Sequence, residues 1–466
     1  MIDGAAFLCR PVAPPILPDM RRHILIVLGL ILLVGLAAAV YVGWPDTAKV
    51  PIEQVTGRRP LITEPRIQTI PTVKVADVVG WRANAAPTPA AGLKVQPFAA
   101  DLDHPRWLYR LPNGDILVAE SNSPPRKGGG VQGAVMKLLM GKAGAGVPSA
   151  NRITLLRDAD GDGVAELRTP FMTGLNSPAG MTLMGGMLYV ANTDAIVRVP
   201  YTAGATKITA KPELVVKLNG GGNHWMRTLI PNTDGKTLLV AVGSASNIGE
   251  KGMATEKFRA NILQVWPKEK TFRVYAAGLR NPQGMAINPL SNQLWTVVNE
   301  RDMLGSDLAP DYLTQVEFGD NFGWPWYYWG GYPDGRVEEE NPALQQYSKR
   351  PDYALGPHVA ALGLAFSGDA KLGARFARGA FVGEHGSWNR KPVSGYKVVF
   401  IPFAASGFPV PNAKPVDVLT GFLDKEGDAQ GRPVSVITDK GGALLVADDV
   451  GNRVWRVSAA TRTAAR

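Results

Sequence analysis

The sequence contains a single cysteine, Cys9, among its 466 residues. One cysteine cannot form an intramolecular disulfide, and it cannot supply the clustered thiolates of a cysteine-rich metal centre. The motif Cys-x-x-Cys-His is also absent. Disulfide-stabilised scaffolds, thiolate metal sites and covalent attachment of a c-type haem are therefore excluded.

Histidine and runs of one charge are also scarce. The chain has 5 His, and its 50 Lys plus Arg exceed its 40 Asp plus Glu without forming a run of five or six basic residues. A net charge of +10 favours anionic partners, but the scattered distribution argues against nucleic-acid binding. Glycine and proline are plentiful, and they recur between short apolar stretches as turn residues do. This pattern predicts many short strands.

One long apolar segment occurs near the N-terminus. Residues 24–42 are uncharged and mostly apolar, long enough to cross the ~30 Å hydrocarbon layer as a helix. Arg21, Arg22 and His23 precede this run, and positive charge tends to remain on the cytoplasmic side. We therefore predict a cytoplasmic segment over 1–22, a single-pass anchor in the inner-membrane lipid over 23–44, and a periplasmic remainder.

A cleaved signal peptide is the alternative, because Ala37, Ala38 and Ala39 are small residues suited to a cleavage site. The apolar run exceeds the usual signal core of ~7–15 residues, which favours an uncleaved anchor. Met20, directly before Arg21, is also an alternative start of translation.

Beyond the anchor, composition divides the chain into three parts. Residues 45–92 are rich in Pro and Ala and lack sustained periodicity, which predicts a tether with at most a short packed piece near 70–81. Residues 93–458 contain a repeated unit, and 459–466 form a tail. Each repeat has an apolar strand, a turn with Gly, Asn or Asp, and a second apolar strand; the repeats begin at Trp107, Gly180, Arg227, Gly284, Gly363 and Pro433.

Repeated hairpins of this kind predict an all-β fold, a six-bladed β-propeller preceded by one N-terminal transmembrane helix. Residues 93–99 could supply a strand that pairs with 454–457, closing the ring and protecting its edges. A β-sandwich is the alternative, but six near-equivalent hairpins exceed what one sandwich requires.

Two stretches interrupt this regular pattern with polar residues. In residues 219–227, three glycines lead into His224 immediately before a strand. Glycine permits close approach of a ligand, and the usual pKa of His suits proton abstraction near neutral pH. A catalytic His and a structural His are equally supported by this pattern.

The second stretch, residues 278–284, reads Gly-Leu-Arg-Asn-Pro-Gln-Gly and contains Arg280 and Asn281. A guanidinium and an adjacent amide can hydrogen-bond a planar ligand with carboxylate or quinone oxygens. Asn-Phe-Gly-Trp-Pro and further aromatic residues follow at 321–329. These aromatics either form core or wall the ligand, and core is their commoner use.

Taken together, these motifs resemble the family of soluble glucose dehydrogenases that depend on pyrroloquinoline quinone (PQQ). Residues 384–390, Glu-His-Gly-Ser-Trp-Asn-Arg, with Gly-Tyr-Lys-Val at 395–398, look closer to its sorbosone dehydrogenase branch. The resemblance covers about residues 93–458. It implies PQQ and Ca²⁺ as cofactors and oxidation of a sugar or sugar aldehyde. Because the chain has no motif for a haem of its own, we expect electrons to leave through a separate partner, a membrane quinone near the anchor or a separate cytochrome.

The resemblance also implies roles for individual residues. His224 matches the family's general base, and Arg280 and Asn281 match the pair that polarises the quinone carbonyl. Backbone carbonyls of Glu300 and Arg301 match the position of the cofactor Ca²⁺. Basic residues hold the PQQ carboxylates in the family; the corresponding residues in this chain are Arg390, Lys391 and Arg432, with Asp449 or Asp448 near the cofactor's other edge.

Two departures from the glucose dehydrogenases alter the expected substrate. Ser244 stands where those relatives have Asp, and Glu120 lies in the loop where they have Gln; both positions face the sugar in the family. We therefore expect both residues to face the substrate and expect a sugar aldehyde rather than glucose.

A separate loop spaces Asp158, Asp160, Asp162 and Glu166 as in the first part of a calcium loop. Its twelfth position is Thr169 instead of an acid. A structural Ca²⁺ site and a metal-free turn are equally supported.

Two other functions are compatible with a propeller. A calcium-dependent lactonase would need side-chain oxygens converging on a metal; the candidates are Glu120, Asn192, Asn247 and Asn299. A non-catalytic binding module is the second, because a fold does not fix function. Neither alternative explains Arg280 beside Asn281.

Overall fold

The computed structural model describes residues 18–43, 45–68, 71–125, 138 and 140–460. Cys9, most of the predicted cytoplasmic segment and the last six residues of the predicted tail lie outside these residues. Helix α1, Pro18–Gly43, contains the apolar run. Its window Met20–Ala37 is long and apolar enough to cross a membrane, and a signal sequence would pass the same test.

Most described strands form antiparallel sheets of four, which we number as blades along the chain. Blade one contains β3 (Pro105–Arg110), β4 (Ile116–Glu120), β5 (Arg152–Arg157) and β6 (Leu167–Met172). Blade two contains β7 (Met181–Met184), β8 (Met187–Ala191), β9 (Ala195–Pro200) and β10 (Glu213–Lys217). Blade three contains β11 (Arg227–Pro231), β12 (Leu238–Val242), β13 (Asn261–Trp266) and β14 (Thr271–Ala277).

The second half of the ring follows the same plan. Blade four contains β15 (Asn281–Ile287), β16 (Leu294–Asn299), β17 (Pro310–Val316) and β20 (Tyr353–Pro357). Blade five contains β21 (Ala361–Phe366), β22 (Gly379–Glu384), β23 (Lys397–Pro402) and β24 (Val416–Thr420), extended by β1 (Thr88–Pro89). Blade six contains β25 (Pro433–Thr438), β26 (Leu444–Asp448), β27 (Arg453–Ala459) and β2 (Leu93–Ala99). Smaller elements are β18 (Tyr327–Tyr328), β19 (Tyr332–Pro333), helix α2 (Pro342–Gln345) and 3₁₀ turns at Met253–Glu256, Ser367–Asp369 and Ala374–Phe376.

The hairpin of blade three shows how the sequence forms these elements. Asp234 accepts hydrogen bonds from the backbone N–H groups of Lys236 and Thr237, and Gly235 has the positive φ that tight turns require. The strand after the turn, β12, is buried along its whole length because blades pack on both of its faces. In this hairpin, a continuous apolar strand that follows an Asp-Gly turn thus forms the interior of the blade.

The first strands of the blades surround the propeller axis, and glycine lets them approach closely. A Cβ at Gly284 in β15 would lie 2.6 Å from the Leu362 carbonyl oxygen of blade five. A Cβ at Gly363 in β21 would lie 2.3 Å from the Val434 carbonyl oxygen of blade six. No side chain fits at these positions, since real Cβ atoms do not approach backbone atoms so closely.

The ring closes between the two ends of the repeated region. Strand β2 pairs with β27, from Leu93 opposite Ala459 to Ala99 opposite Val454. Residues distant in sequence therefore complete blade six together. The predicted closure and the all-β, six-bladed architecture are confirmed.

Every first strand begins, and every second strand ends, at the same end of the propeller, here called the upper face. Asn281 at the start of β15 lies opposite Asn299 at the end of β16, and Pro433 lies opposite Asp448 in the same way. Polar residues flanking these strand ends in separate blades are therefore brought together around the axis.

The predicted tether differs most from the structure. We call residues 45–68 and 71–82 the strap, because they pack against the propeller along most of their length. Asp46 accepts a hydrogen bond from the Ser306 backbone N–H of blade four at 2.6 Å. Gly57 forms a β-bridge with Ala354 at the edge of blade four. The prediction of a tether with a short packed piece near 70–81 is therefore corrected: residues 45–68 also contact the propeller, a feature that Pro-rich composition does not reveal.

The strap continues across the upper face toward blade six. The Thr72 carbonyl accepts from the Asn389 side chain at 2.7 Å, and the Lys74 N–H donates to the Trp388 carbonyl at 3.0 Å. The Trp81 indole N–H then donates to the Asp448 carboxylate at 2.6 Å. The strap thus joins the upper ends of blades four, five and six.

Candidate functional site

Four histidines lie at the upper face of the described propeller. His104, His224 and His358 each stand shortly before the first strand of a blade, and His385 directly follows the second strand of blade five. Titratable side chains from different blades therefore line one end of the central axis, where a ligand could contact all of them.

His224 is held by two oxygens of Ser244. Its Nδ1 lies 2.8 Å from the Ser244 carbonyl oxygen and 3.1 Å from Oγ. The carbonyl can only accept, and Oγ donates its own proton to the Ser246 carbonyl at 2.6 Å. Nδ1 must therefore carry the ring proton, which leaves an unprotonated Nε2 with no hydrogen-bond partner in the described part of the chain.

Buried arginines fix the glycine loop that presents His224. The His224 carbonyl accepts from Arg227 at 2.8 Å and from Arg259 at 2.6 Å. Both guanidinium groups also bond the Asn219 carbonyl at the start of the loop. The two cations therefore set the position of His224 without touching its ring.

The electrostatic surroundings keep the His224 ring neutral. Burial lowers its pKa well below the usual value, and the charge of Arg280 acts in the same direction. The hydrogen bond to Ser244 opposes these effects but does not outweigh them. A neutral imidazole with a free Nε2 can accept a proton near neutral pH.

Arg280, at the start of blade four, is nearly fully engaged. Nη2 donates to the Asp302 carboxylate at 2.8 Å and to Asn247 Oδ1 at 2.9 Å. Nη1 donates to the Glu300 carbonyl at 2.6 Å, and Nε donates to the Asn247 carbonyl at 3.3 Å. A guanidinium has five N–H groups, so one N–H on Nη1 remains without a partner among the described residues.

Asn281 and His224 flank the same backbone position. A Cβ at Gly243 would lie 2.1 Å from Asn281 Oδ1 and 2.8 Å from the His224 Cβ. Asn281 Nδ2 donates to Asn299 at 3.1 Å, and Gln283 donates to Asn281 Oδ1 at 2.7 Å. The structure therefore brings together His224, Arg280 and Asn281, which the sequence predicted as one site.

Asp302 links Arg280 to a second histidine. His358 Nδ1 lies 3.5 Å from Asp302 Oδ1, and its Nε2 donates to the Gly305 carbonyl at 3.0 Å. Although burial would raise the pKa of Asp302, Arg280 and His358 hold it below its usual value. Conversely, burial would lower the pKa of His358, but Asp302 raises it overall. The charge of Arg280 is thus balanced by a buried carboxylate.

A second polar cluster surrounds Asp449 on the opposite side of the ring. Asp449 forms an ion pair with Arg106 of blade one, and its Oδ2 lies 2.8 Å from His385 Nε2 and 3.4 Å from His104 Nε2. The Arg106 guanidinium also lies 5.7 Å from the ring centre of Trp225, the neighbour of His224. Trp225 therefore connects the site around His224 to the cluster around Asp449.

The Asp449 cluster contains neutral histidines and an ionised acid. Burial lowers the pKa of His104 to about 4 and that of His385 to about 3. Burial would raise the pKa of Asp449, but His385, His104 and Arg106 hold it well below the usual value. Arg106 is therefore the cation that balances Asp449 at neutral pH.

The predicted carboxylate-binding residues occupy different places. Arg432 lies beside the Asp449 cluster and donates to the carbonyls of His385 and Gly386 at 3.0 Å each. Arg390 instead donates to the carbonyls of Ser306 and Pro392, beneath the strap. Lys391 is exposed, and its carbonyl accepts from the strap at Ala48. The structure thus groups Arg432 with Asp449, places Lys391 in contact with the strap, and pairs Arg390 with the Ser306–Asp307 segment of blade four.

Glu120 and Ser244 are buried rather than turned to open space. The Glu120 carboxylate accepts from Arg152 at 2.7 and 3.0 Å and also bonds Thr154 in its own blade. Ser244 is fully buried and bonds His224. That both face the substrate stays a prediction; in this structure Glu120 forms a buried ion pair with Arg152, and Ser244 contacts the histidine.

The two predicted metal sites, Glu300 with Arg301 and the acidic surface loop, differ in the contacts of their residues. The Glu300 carbonyl lies beside Arg280, as described above, whereas Arg301 extends its side chain into blade four and bonds Asp334 at 3.1 Å. In the surface loop, ligand atoms of Asp158, Asp160, Asp162 and Glu166 lie within 4.8 Å of one another. Gly161, Gly163 and Val164 donate backbone hydrogen bonds to these acids, as they would in a turn without metal.

The aromatic run at 321–329 is mainly core. Phe322 and Trp329 are buried around Tyr312 of blade four. Trp324 donates its indole N–H to the Asn247 carbonyl at 2.9 Å. These rings therefore support the loop that holds Arg280 and do not wall a ligand themselves.

The donor set of the upper face fits a planar acid such as PQQ. Arg106 and Arg432 supply positive charge from blades one and six, where carboxylates could bind, and the Arg106 Nε is buried without a partner in the described residues. Arg280, with its free N–H, faces the same axis from blade four. Arg106 and Arg432 on one side, and Arg280 beside His224 on the other, match a ligand that bears carboxylates and quinone oxygens.

Sequence reasoning missed Arg106, His104 and His385. His104 and Arg106 directly precede the first hairpin at Trp107, and His385 follows a second strand. The rule that selected His224, a polar residue beside a strand end, would have found all three. Their shared partner, Asp449, lies 343 residues from Arg106 and could not be assigned from spacing.

Similarity searches relate the chain to sugar dehydrogenases. An uncharacterized protein of Borreliella burgdorferi is 28% identical over 295 residues, 61% of this chain and 76% of that protein. The aldose sugar dehydrogenase YliI of Escherichia coli is 27% identical over 165 residues, 32% of this chain and 42% of that protein. The PQQ domain of pyranose dehydrogenase from Coprinopsis cinerea, solved in its holo form, shares the fold with a TM-score of 0.63 and 20% identity, covering 83% of this chain and 100% of that domain.

A family model described as TrAA12-like matches residues 87–317 and 328–460. This match covers the whole propeller except a short part of the loop within blade four, and it includes both clusters of the upper face. The chain therefore belongs to the TrAA12-like family.

Proposed function

We propose that this chain is a PQQ-dependent dehydrogenase that oxidises an aldose or sugar aldehyde. The observation that carries the proposal is His224, neutral, with a free Nε2, beside Arg280 and Asn281. The names of the Escherichia coli and Coprinopsis cinerea proteins, an aldose sugar dehydrogenase and a PQQ-bearing pyranose dehydrogenase, support sugar oxidation. The sorbosone-like motif at 384–390 favours a sugar aldehyde, oxidised to the acid.

The protein's own residues would divide the reaction between them. His224 Nε2 accepts the proton of the substrate hydroxyl, which for an aldehyde belongs to its hydrate, while the adjacent carbon loses hydride. PQQ, when bound, supplies the acceptor for that hydride. The free N–H of Arg280 would stabilise negative charge that develops on a bound acceptor. Asp302 holds the guanidinium in place, and Ser244 keeps the proton of His224 on Nδ1.

Other binding roles follow from position. Arg432 and Arg106 would hold cofactor carboxylates, with Asp449 fixing the position of Arg106. As the resemblance implies, the Glu300 and Arg301 carbonyls would bind the cofactor Ca²⁺, and the Glu300 carbonyl would then share or lose its hydrogen bond from Arg280. We further propose that α1 remains as an inner-membrane anchor with the propeller in the periplasm, and that electrons pass to a membrane quinone or a separate cytochrome.

The lactonase alternative receives no support from the side chains that it requires. Glu120 is paired with Arg152, Asn247 with Arg280, and Asn299 with Asn281 and the Ala361 carbonyl. Asn192 accepts from the Asn176 N–H. Groups that are already engaged with separate partners do not converge on one metal.

The test is His224→Asn, which keeps a polar side chain of similar size. We expect kcat to fall by about 10²–10⁴-fold, the usual contribution of a general base. The thermal shift on adding PQQ with Ca²⁺ should persist, because His224 is not proposed to bind the cofactor. In the unmodified protein, the acid limb of kcat/KM should lie below pH 6.5, since the pKa of His224 is lowered.

Thr233→Ala, in an exposed turn at the lower end of blade three, is the matched control and should keep full activity. Near-normal turnover of His224→Asn would contradict the role of His224. Failure of the unmodified protein to reduce an artificial acceptor with any aldose or sugar aldehyde, in the presence of PQQ and Ca²⁺, would contradict the proposed function as a whole.

A further inference from the structure

The strap lies immediately after the apolar run of α1. Asp46 is only four positions beyond Val42, the last residue of that run, which corresponds to at most about 14 Å of extended chain. Asp46 is buried against the propeller, where its carboxylate bonds Arg66 at 2.7 Å and its N–H bonds Thr72 at 2.7 Å. If α1 spans the membrane, this part of the upper face cannot move away from the bilayer surface.

Apolar side chains are exposed next to this attachment point. Ile67 is 55% exposed and Val73 is 38% exposed, and these residues flank the hydrogen bond between Gln68 and Thr72. Val79 is 56% exposed one residue beyond Val78, whose N–H donates to the Lys142 carbonyl in the upper loop of blade one. In that loop Leu138 is 64% exposed. We call Ile67, Val73, Val79 and Leu138 the apolar rim.

Exposed apolar residues are ordinary when they are scattered. The apolar rim differs because Ile67, Val73 and Val79 lie on the strap, which follows the membrane exit in sequence, and Leu138 lies in a blade-one loop that the strap contacts. Exposed cations Lys49, Arg59, Lys74 and Arg82 lie on the same segment, and their side chains make no hydrogen bond or ion pair within the described residues. The segment also carries the exposed acids Glu53, Glu64 and Asp77, of which Asp77 pairs with Lys142. Apolar side chains with flanking Lys and Arg are typical of surfaces that lie in the lipid interface, where cations are attracted to anionic headgroups.

We propose that the apolar rim docks on the lipid bilayer beside α1, so that the upper face of the propeller is held against the membrane. This inference rests on the proposed anchor and goes beyond the proposed activity. The strap covers the upper ends of blades four to six, and no hydrogen bond joins it to blade two or three in the described chain. The glycine loop before His224 therefore stays uncovered, and a sugar would reach the site from the side.

Site-directed fluorescence in the full chain tests this docking. Cys9 is the only native cysteine, so Cys9→Ser permits single labels at Ile67→Cys or Val79→Cys. The matched control is Leu290→Cys, 50% exposed in the turn at the lower end of blade four. Leu33→Cys, within α1, reports whether the helix is inserted. Each variant carries an environment-sensitive dye and is reconstituted in phosphatidylcholine/phosphatidylglycerol vesicles containing doxyl-labelled lipid.

We expect dyes at positions 33, 67 and 79 to be quenched at least threefold more strongly than the dye at 290. Equal quenching at 67, 79 and 290 would overturn the docking. Unquenched dye at 33 would overturn it together with the anchor. Shielding of 67 and 79 that persists in detergent with a doubled molecular mass would show that a second copy covers the rim, and would also overturn the inference.

Activity is measured separately on the same vesicles, as PQQ-dependent reduction of a soluble dye. Neither Ile67 nor Val79 belongs to the proposed site, so their labelled variants should keep basal activity. Loss of docking with normal turnover would refute only the membrane contact, whereas normal docking without turnover would refute only the dehydrogenase.

Discussion

At the scale of single residues, the candidate site depends on neutral partners for His224 and on a balanced charge at Arg280. The oxygens of Ser244 fix the ring tautomer without adding a negative charge beside it. Asp302 neutralises Arg280, and Asn247 bonds both the arginine and the Asp302 N–H. Because the surroundings are buried, an unbalanced charge would be costly there. The site is therefore preorganised by hydrogen bonds that involve few net charges.

Several acids elsewhere in the propeller are buried in a way that favours their protonated forms. Burial raises the pKa of Asp448 to about 6, of Asp311 to about 7 and of Glu384 to about 8. Both carboxyl oxygens of Glu384 lack hydrogen-bond partners in the described residues. A group whose pKa is raised by folding stabilises the protein at low pH, and this contribution disappears as pH rises through the folded-state value.

Glu384→Gln should therefore stabilise the protein at alkaline pH. At pH 5 both variants hold a neutral side chain, so their Tm values should differ little. At pH 9 ionised Glu384 costs stability in the native protein, and the Gln variant should be more stable by on the order of a few kcal/mol. Calorimetric unfolding at the two pH values measures this difference. Glu339→Gln, at an exposed position, should show no such pH dependence; a constant gap for Glu384→Gln would falsify the interpretation.

At the scale of elements, the strap is held by specific polar contacts rather than by composition. Trp81 donates its indole N–H to Asp448 and packs edge-on against Trp455 and Phe422, at ring-centre distances of 5.2 and 5.7 Å. Its partner Asp448 directly precedes Asp449 of the upper-face cluster. The end of the strap is therefore connected to the candidate site through one short segment.

Trp81→Phe should loosen this end of the strap. The change keeps most of the aromatic packing and removes one buried hydrogen bond, a loss of about 1–2 kcal/mol. We expect faster tryptic cleavage after Lys74 and Arg82, measured by mass spectrometry under native conditions. Trp266→Phe, on blade three away from the strap, should leave the cleavage rate unchanged. Equal protection of all three proteins would show that the indole contact does not hold the strap.

At the scale of the whole molecule, the ring requires glycine where first strands meet. Gly363→Ala should be strongly destabilising, because the new Cβ would lie 2.3 Å from the Val434 carbonyl oxygen and 2.7 Å from the Val436 nitrogen, both fixed backbone atoms. We expect a loss of at least about 3 kcal/mol, measured as a lowered denaturation midpoint. Gly335→Ala has open space around its Cβ and no positive φ, so it should be neutral. Similar midpoints for both variants would contradict this account of blade contact.

The sequence by itself determined the features that depend on residues close together in the chain. Asx turns between apolar strands predicted the blades, the length of the apolar run predicted α1, and residues beside strand ends predicted His224, Arg280 and Asn281. The blades and the helix were confirmed because these elements depend on neighbours within a few positions, whereas the roles of the three site residues stay predictions. His224 and Arg280 lie close together because each stands just before the first strand of its blade, and first strands all begin at the upper face.

Only the tertiary structure decided which groups from separate blades become partners. Trp81 meets Asp448 across 367 positions, and Arg106 meets Asp449 across 343. Glu120 accepts hydrogen bonds from Arg152, and Ser244 accepts one from His224. No local sequence pattern predicts these two contacts. The strap packs against the propeller through contacts that are likewise distant in sequence. Ring closure sets these long-range contacts, since it places the strand ends of all blades around one axis.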